Sequence, residues 1–256
     1  MPKLFLRHLR VQSLIDIVSV DIFWFRVFEL KEFSWRSSLM ILTAVLMLIT
    51  LALIFLWVPT EKNLGISQRI FYYHVPIAWI GMLSIIIVAI SSVVYLIRDN
   101  HIWDAIALSA AEIGVILMTG VIITGAIWGK LTWGVWWTWD PKLTTTLILW
   151  FIFIAYLLMR ARASSSLQGA RIAAFIALIG AIDAPVIYMS TIWWRTTHPG
   201  LNIGPLAEQG SLDFRMGITI LFSVLTFSVF FVYILIERFK LRKSELIVES
   251  LYNKKF

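Results

Sequence analysis

The chain has 256 residues, of which 60% are hydrophobic and only 14% charged, well below the roughly one quarter charged that a water-soluble domain carries. It has no cysteine, which excludes a disulfide framework, a thiolate metal site, a cysteine nucleophile and covalent cofactor attachment through C-x-x-C-H. The net charge of +7 does not call for nucleic acid, because a membrane protein gathers Lys and Arg in the loops of one side.

Residues 1–36 mix apolar positions with Asp16, Asp21, Arg26, Glu29 and Lys31 and show no signal-peptide pattern. They read as a cytoplasmic N-terminal extension, either an amphipathic helix on the membrane surface or a partly disordered segment. Long apolar runs then predict six transmembrane helices, near 37–58, 75–97, 104–127, 143–159, 171–192 and 216–236. Runs of this length distinguish helical spans from the ten-residue alternation of barrel strands. The predicted fold is therefore all-α, an integral membrane bundle over 37–236 with no soluble domain. Pro59 closes the first span, and Pro76 is expected in the first turn of the second, where proline is best tolerated. Arg98, Asp99 and Asn100 end the second. The third is rich in small residues (Ala110, Ala111, Gly114, Gly120, Gly125) that allow close helix packing in lipid. A basic tail, 237–256, ends the chain.

Six spans put both termini on one side. Sixteen of the 22 Lys and Arg fall in the N-terminal segment, at Arg98, in the 160–171 turn and in the tail. Six fall on the other side: Lys62, Arg69, Lys130, Lys142, Arg195 and Arg215. The positive-inside rule then predicts cytoplasmic termini and outward-facing loops at 59–74, 128–142 and 193–215.

The loop between the third and fourth spans, WGKLTWGVWWTWDPK over 128–142, holds Trp128, Trp133, Trp136, Trp137 and Trp139. So many indoles make either an interfacial anchor or a platform for something flat and apolar. Of four histidines, His8 and His101 fall on the cytoplasmic side, whereas His74 and His198 fall on the outer side with this loop. Two neutral imidazoles flanking an indole platform is the arrangement that bis-histidine haem ligation needs. Lys130, Lys142, Arg195 and Arg69 are on the correct side to meet the propionates. The bland readings are solvated histidines, belt tryptophans and solvated cations. Asp140 and Pro141 read as the cap and first residue of the fourth span, with direct ligand contact by Asp140 as the alternative. Two acids lie within spans, Glu112 and Asp183; an ion path and a structural pairing are both open, and the structural reading is favoured.

WGVWWTWDPKLT, with RIFYYHVPIAW before the second span and APVIYMSTIWWRTTHP after the fifth, resembles the WWD signature of haem-handling proteins of cytochrome c maturation, in particular the CcmC type. The resemblance covers roughly 60–236. It implies a protein of the bacterial cytoplasmic membrane, or of the inner membrane of some mitochondria, that presents haem b, transiently and non-covalently bound, at the outer face. His74 and His198 match the family's axial ligands. The haem site implied also draws on Trp128, Trp133, Trp136, Trp137, Trp139, Asp140, Lys142 and Arg195. Lys142 stands where the family usually has arginine, which keeps the charge and loses the bidentate fork. The implied partners are an ATP-binding-cassette pair (CcmA and CcmB), a small CcmD subunit and the haem chaperone CcmE, with no nucleic acid. Residues 1–36 look longer than the family's usual N-terminus. No nucleophile, metal-activated water or phosphate loop is visible, so a holder rather than an enzyme is expected. The rival functions are an electron-transfer subunit with a permanent bis-histidine haem, a proton-coupled transporter using Glu112 and Asp183, and a related haem-handling type that acts on the synthetase.

Overall fold

The computed structural model describes residues 35–162, 167–194, 196–198 and 212–253, so the amphipathic reading of 1–34, the 163–166 turn, Arg195 and the 199–211 loop lie outside the described residues. The chain divides into two units, 1–45 and 46–256. Of the first, the described residues are the opening of one helix; the packing below is that of the second.

Six helices are long and apolar enough to cross a membrane, and the described elements are all helical. They are α1 Trp35–Trp57, α2 Phe71–Arg98, α3 His101–Trp133, α4 Pro141–Arg162, α5 Leu167–Trp193 and α6 Phe214–Asn253. The shortest, α4, has 22 residues, or about 33 Å at 1.5 Å per residue, enough for a hydrocarbon core of about 30 Å. The chain is a multi-pass membrane protein of all-α fold, as the apolar runs predict.

Local chemistry sets the helix ends. α1 widens in its last turn, Leu53–Trp57, where Val58 N–H reaches back to the Leu53 carbonyl at 3.0 Å. Val58 then turns extended (φ −70°, ψ 130°), as a residue before proline must. α2 and α3 are joined by Asp99 and Asn100 alone: Asp99 takes the left-handed conformation (φ 50°) and donates to the Tyr95 carbonyl, while the Asn100 side chain accepts from Ile102 N–H at 2.9 Å and caps α3.

The bundle departs from the sequence expectation in three places. A 3₁₀ turn, Ile66–Ile70, leads directly into α2 at Phe71, so Pro76 lies beyond the first turn and leaves the Tyr72 carbonyl without its helical N–H donor. α3 runs to Trp133 and stops at Gly134 (φ 78°), so Trp128, Lys130 and Trp133 belong to a helix and the true loop is only 134–140. α6 continues as a helix to Asn253, past the predicted end of the sixth span near 236.

α2 is the central helix, packing on α3, α5 and α6. Its seam with α3 is made by small residues: a Cβ on Gly114 would meet Ser84 Oγ at 2.9 Å, and one on Gly81 would meet Met118 Sδ at 2.8 Å. Glu112 is not a lone intramembrane acid. It takes a bidentate ion pair from Arg238 of α6, with Nη2 to Oε1 at 2.8 Å, and Arg238 also bonds Glu245. Asp104 of α3 pairs with the buried Arg160 of α4 at 2.7 Å. These pairs support the structural reading of Glu112. Asp183 differs, because its Oδ2 is buried with no hydrogen-bond partner among the described residues.

Candidate functional site

With six consecutive spans, the α1–α2, α3–α4 and α5–α6 connections fall at one end of the bundle. At that end, within residues 46–256, α2 to α6 surround a cavity of about 740 Å³. This is the size of a small-molecule or cofactor site, and its walls are mostly apolar, with Val75, Ala78, Met82, Met118 and Met216 among them.

The cavity gathers six of the ten residues singled out from the sequence: His74 of α2, His198 beyond α5, Trp128 and Trp133 of α3, Trp137 of the 134–140 loop, and Lys142 in the first turn of α4. Trp136 and Trp139 do not line it; they are 59% and 77% exposed. Asp140 is buried (8% exposed) beside the cavity rather than in its wall. Of the other cations proposed for propionates, Lys130 donates to the Gly134 carbonyl at 2.8 Å and so caps α3, and the Arg69 guanidinium stacks on Phe55 at 5.3 Å. Lys142 is the one Lys or Arg among the described residues that lines the cavity.

His74 is held from α3. Its Nδ1 lies 2.8 Å from Thr124 Oγ1, which in turn lies 2.7 Å from the Gly120 carbonyl. A hydroxyl has one hydrogen, and the carbonyl can only accept, so Thr124 donates to Gly120 and accepts from His74 Nδ1–H. That assignment leaves Nε2 as the unprotonated nitrogen, the form in which an imidazole ligates a metal. Gly125 lets the ring lie against α3, because a Cβ there would sit 3.2 Å from His74 Cε1.

The indoles pack edge to face in pairs. Trp128 and Trp133 have centroids 5.4 Å apart at 81°, and Trp137 and Trp139 are 6.0 Å apart at 80°. The Nε1–H groups of Trp128 and Trp137 are buried without a partner among the described residues. Trp79 of α2 also lines the cavity and is 52% exposed on its other side.

Asp140 joins two connections. Its Oδ1 accepts from Lys142 N–H at 3.0 Å, capping α4, and its Oδ2 accepts from Thr197 N–H at 2.7 Å. Burial alone would raise this carboxyl, but hydrogen bonds from the Thr196 hydroxyl, the Thr197 and Lys142 amides and the Thr197 hydroxyl outweigh it and hold the group below the usual carboxylate range.

Among the described residues no three His, Asp or Glu side chains cluster as a metal site. Two imidazoles, those of His74 and His198, line the cavity instead. Thr124, Met118 and Tyr188 were not singled out in the sequence, and Gly125 was read only as a small residue for helix packing. Their tie to the site comes from helix packing between distant segments, and no local pattern marks it.

The sequence matches the family described as Heme exporter protein C over residues 25–251. The Heme exporter protein C of Haemophilus influenzae is 30% identical over 227 residues, 85% of this chain and 91% of that protein. A cytochrome c biosynthesis ccmC-like mitochondrial protein of Marchantia polymorpha is 33% identical over 180 residues, 69% of this chain and 76% of its own length. The Heme exporter protein C of Escherichia coli K12 is 32% identical over 142 residues, 56% of this chain and 58% of that protein.

Proposed function

Since the chain belongs to the Heme exporter protein C family, we propose that it binds haem b non-covalently in the cavity between α2 and α6 and hands it to a CcmE-type chaperone for cytochrome c assembly. His74 and His198 are the axial ligands, Trp128, Trp133 and Trp137 pack on the porphyrin, and Lys142 meets a propionate. The observation that carries this is the convergence of His74 and His198, 124 positions apart, on one apolar cavity walled by indoles. Iron supplies two axial positions for imidazole; the chain's own groups bind, orient and exclude water. The protein is a holder, with energy supplied by CcmA and CcmB and a CcmD subunit alongside.

The Lys and Arg distribution supports an orientation with both termini cytoplasmic and the cavity at the outer face of a bacterial inner membrane. Trp136 and Trp139, exposed at the rim, are suited to meet the chaperone. His198 lies outside the helices, which favours a releasable ligand over the permanent haem of an electron-transfer subunit.

The test is the absorption spectrum of the purified protein after haem loading, with His74→Ala and His198→Ala beside it. Each variant is expected to hold less haem and to lose the low-spin bis-imidazole Soret band. Wild-type haem content and an unchanged Soret band in both variants would sink the ligand assignment.

A further inference from the structure

Asp140 carries the signature acid of the tryptophan loop, yet it does not line the cavity. What arrives at it is a set of donors from two places. Lys142 N–H comes from the first turn of α4, at 3.0 Å from Oδ1. Thr197 N–H comes from beyond α5, at 2.7 Å from Oδ2, with the Thr197 hydroxyl 3.4 Å from the same oxygen. The Thr196 hydroxyl also bonds the carboxylate, and its oxygen accepts His198 N–H at 3.1 Å. His198 is thus tied to Asp140, 58 positions away in sequence, through one hydroxyl and by the peptide unit beside it.

We propose that Asp140 is the positioning residue for His198: its two oxygens fasten the segment after α5 to the N-terminus of α4 and so set the imidazole into the cavity before haem arrives. The proposal rests on the haem reading of that cavity. It also explains why the residue is Asp. Every group that reaches it is a donor on one oxygen or the other, and a carboxylate is acceptor-only on both. Asparagine offers a single oxygen, so either the α4 cap or the Thr197 amide would face an NH₂ group and lose its bond. The Asp140 carboxylate is buried with both oxygens engaged. Partners that orient an axial imidazole commonly change metal affinity about 10- to 100-fold when removed.

The experiment uses the full-length protein in lipid nanodiscs, titrated with haem, comparing Asp140→Asn, Thr196→Val, Thr196→Ser and His198→Ala. Asp140→Asn and Thr196→Val are expected to bind haem about 10-fold or more weakly and to lose one axial imidazole from the spectrum. Added free imidazole should restore the low-spin spectrum in both, as in His198→Ala, and Thr196→Ser should match wild type. Thr196→Val leaves the α4 cap untouched, so it decides the matter if Asp140→Asn fails to fold. A second readout needs no haem. Because the chain has no cysteine, His198→Cys gives a single thiol, and maleimide should modify it several-fold faster when combined with Asp140→Asn. Wild-type affinity and spectrum in both variants, or a deficit that imidazole does not restore, would overturn the positioning role, as would equal maleimide rates. If His198→Ala itself binds haem as wild type does, the haem reading fails instead, and the thiol rates still report whether Asp140 holds the segment.

Discussion

Replacing Thr124 by valine tests whether the His74 imidazole is set in advance by α3. The substitution keeps the branched shape and removes the hydroxyl that lies 2.8 Å from His74 Nδ1. Leaving a half-buried N–H without its acceptor costs about 1–3 kcal/mol. The ring can recover part of this by rotating or by moving its proton to Nε2, but either change takes the lone pair away from the direction the native hydrogen bond fixes. The net expectation is a loss of about 1.4 kcal/mol in haem binding, or about tenfold. Haem titration of the nanodisc protein, followed in the Soret region, reads this directly. Thr124→Ser keeps the acceptor and should bind as wild type does. Thermal unfolding of the apo-protein separates orientation from stability, since valine in this helix seam should shift the midpoint by only a few degrees. Haem affinity within twofold of wild type and an unaltered spectrum in Thr124→Val would refute the reasoning.

Gly125→Ala should weaken haem binding without unfolding the bundle, because the new Cβ must displace His74 Cε1 by a few tenths of an ångström from 3.2 Å; difference spectra of the loaded variant check it. Lys142→Ala should reduce haem retention and Lys142→Arg should preserve it, measured by haem content after dilution into detergent. Glu112→Ala leaves Arg238 without its bidentate partner within the span, and should destabilise by about 2–3 kcal/mol, below the 3–5 of a fully buried pair because both side chains are about a quarter exposed; thermal unfolding should recover in a Glu112→Leu, Arg238→Leu double variant. For pH, the sign follows from Asp140. Its folded pKa is depressed, so its contribution is complete above the unfolded value of about 4 and is lost only as pH falls through the lower folded value. The maleimide rate of the His198→Cys protein, corrected for thiol ionisation, should therefore stay flat from pH 8 to pH 5.

The six spans were legible because each apolar run falls within the length range of a membrane-spanning helix, and Pro59 and the Asp99–Asn100 pair mark helix ends by chemistry that acts within one or two residues. The pairing of His74 with His198 was legible only as a shared side of the membrane; their meeting at one cavity depends on how α2, α5 and the following segment pack. Pro76 read as a first-turn proline because the 3₁₀ turn before Phe71 has no apolar signature of its own. The helical continuation through Trp128 and Trp133 was hidden by their resemblance to interfacial loop tryptophans, although Gly134 was present as a stop signal. Thr124 with His74, Asp140 with Thr197 and Glu112 with Arg238 are 50, 57 and 126 positions apart. Nothing local in the sequence encodes such pairs, and the first two order the side chains and segments around the cavity.

The two histidines are mounted differently, one within a helix and the other beyond one. His74 is part of α2 and is braced on α3 along a seam of small residues, so moving it means moving the bundle's central helix. His198 sits outside the helices and is fastened at a carboxylate latch. If the cavity holds haem as proposed, the bond to His198 is expected to break first, leaving the haem on His74 at the moment of handover. Rapid-mixing spectra with the chaperone would then pass through a His74-bound species, and a His198-bound one in its place would contradict this order.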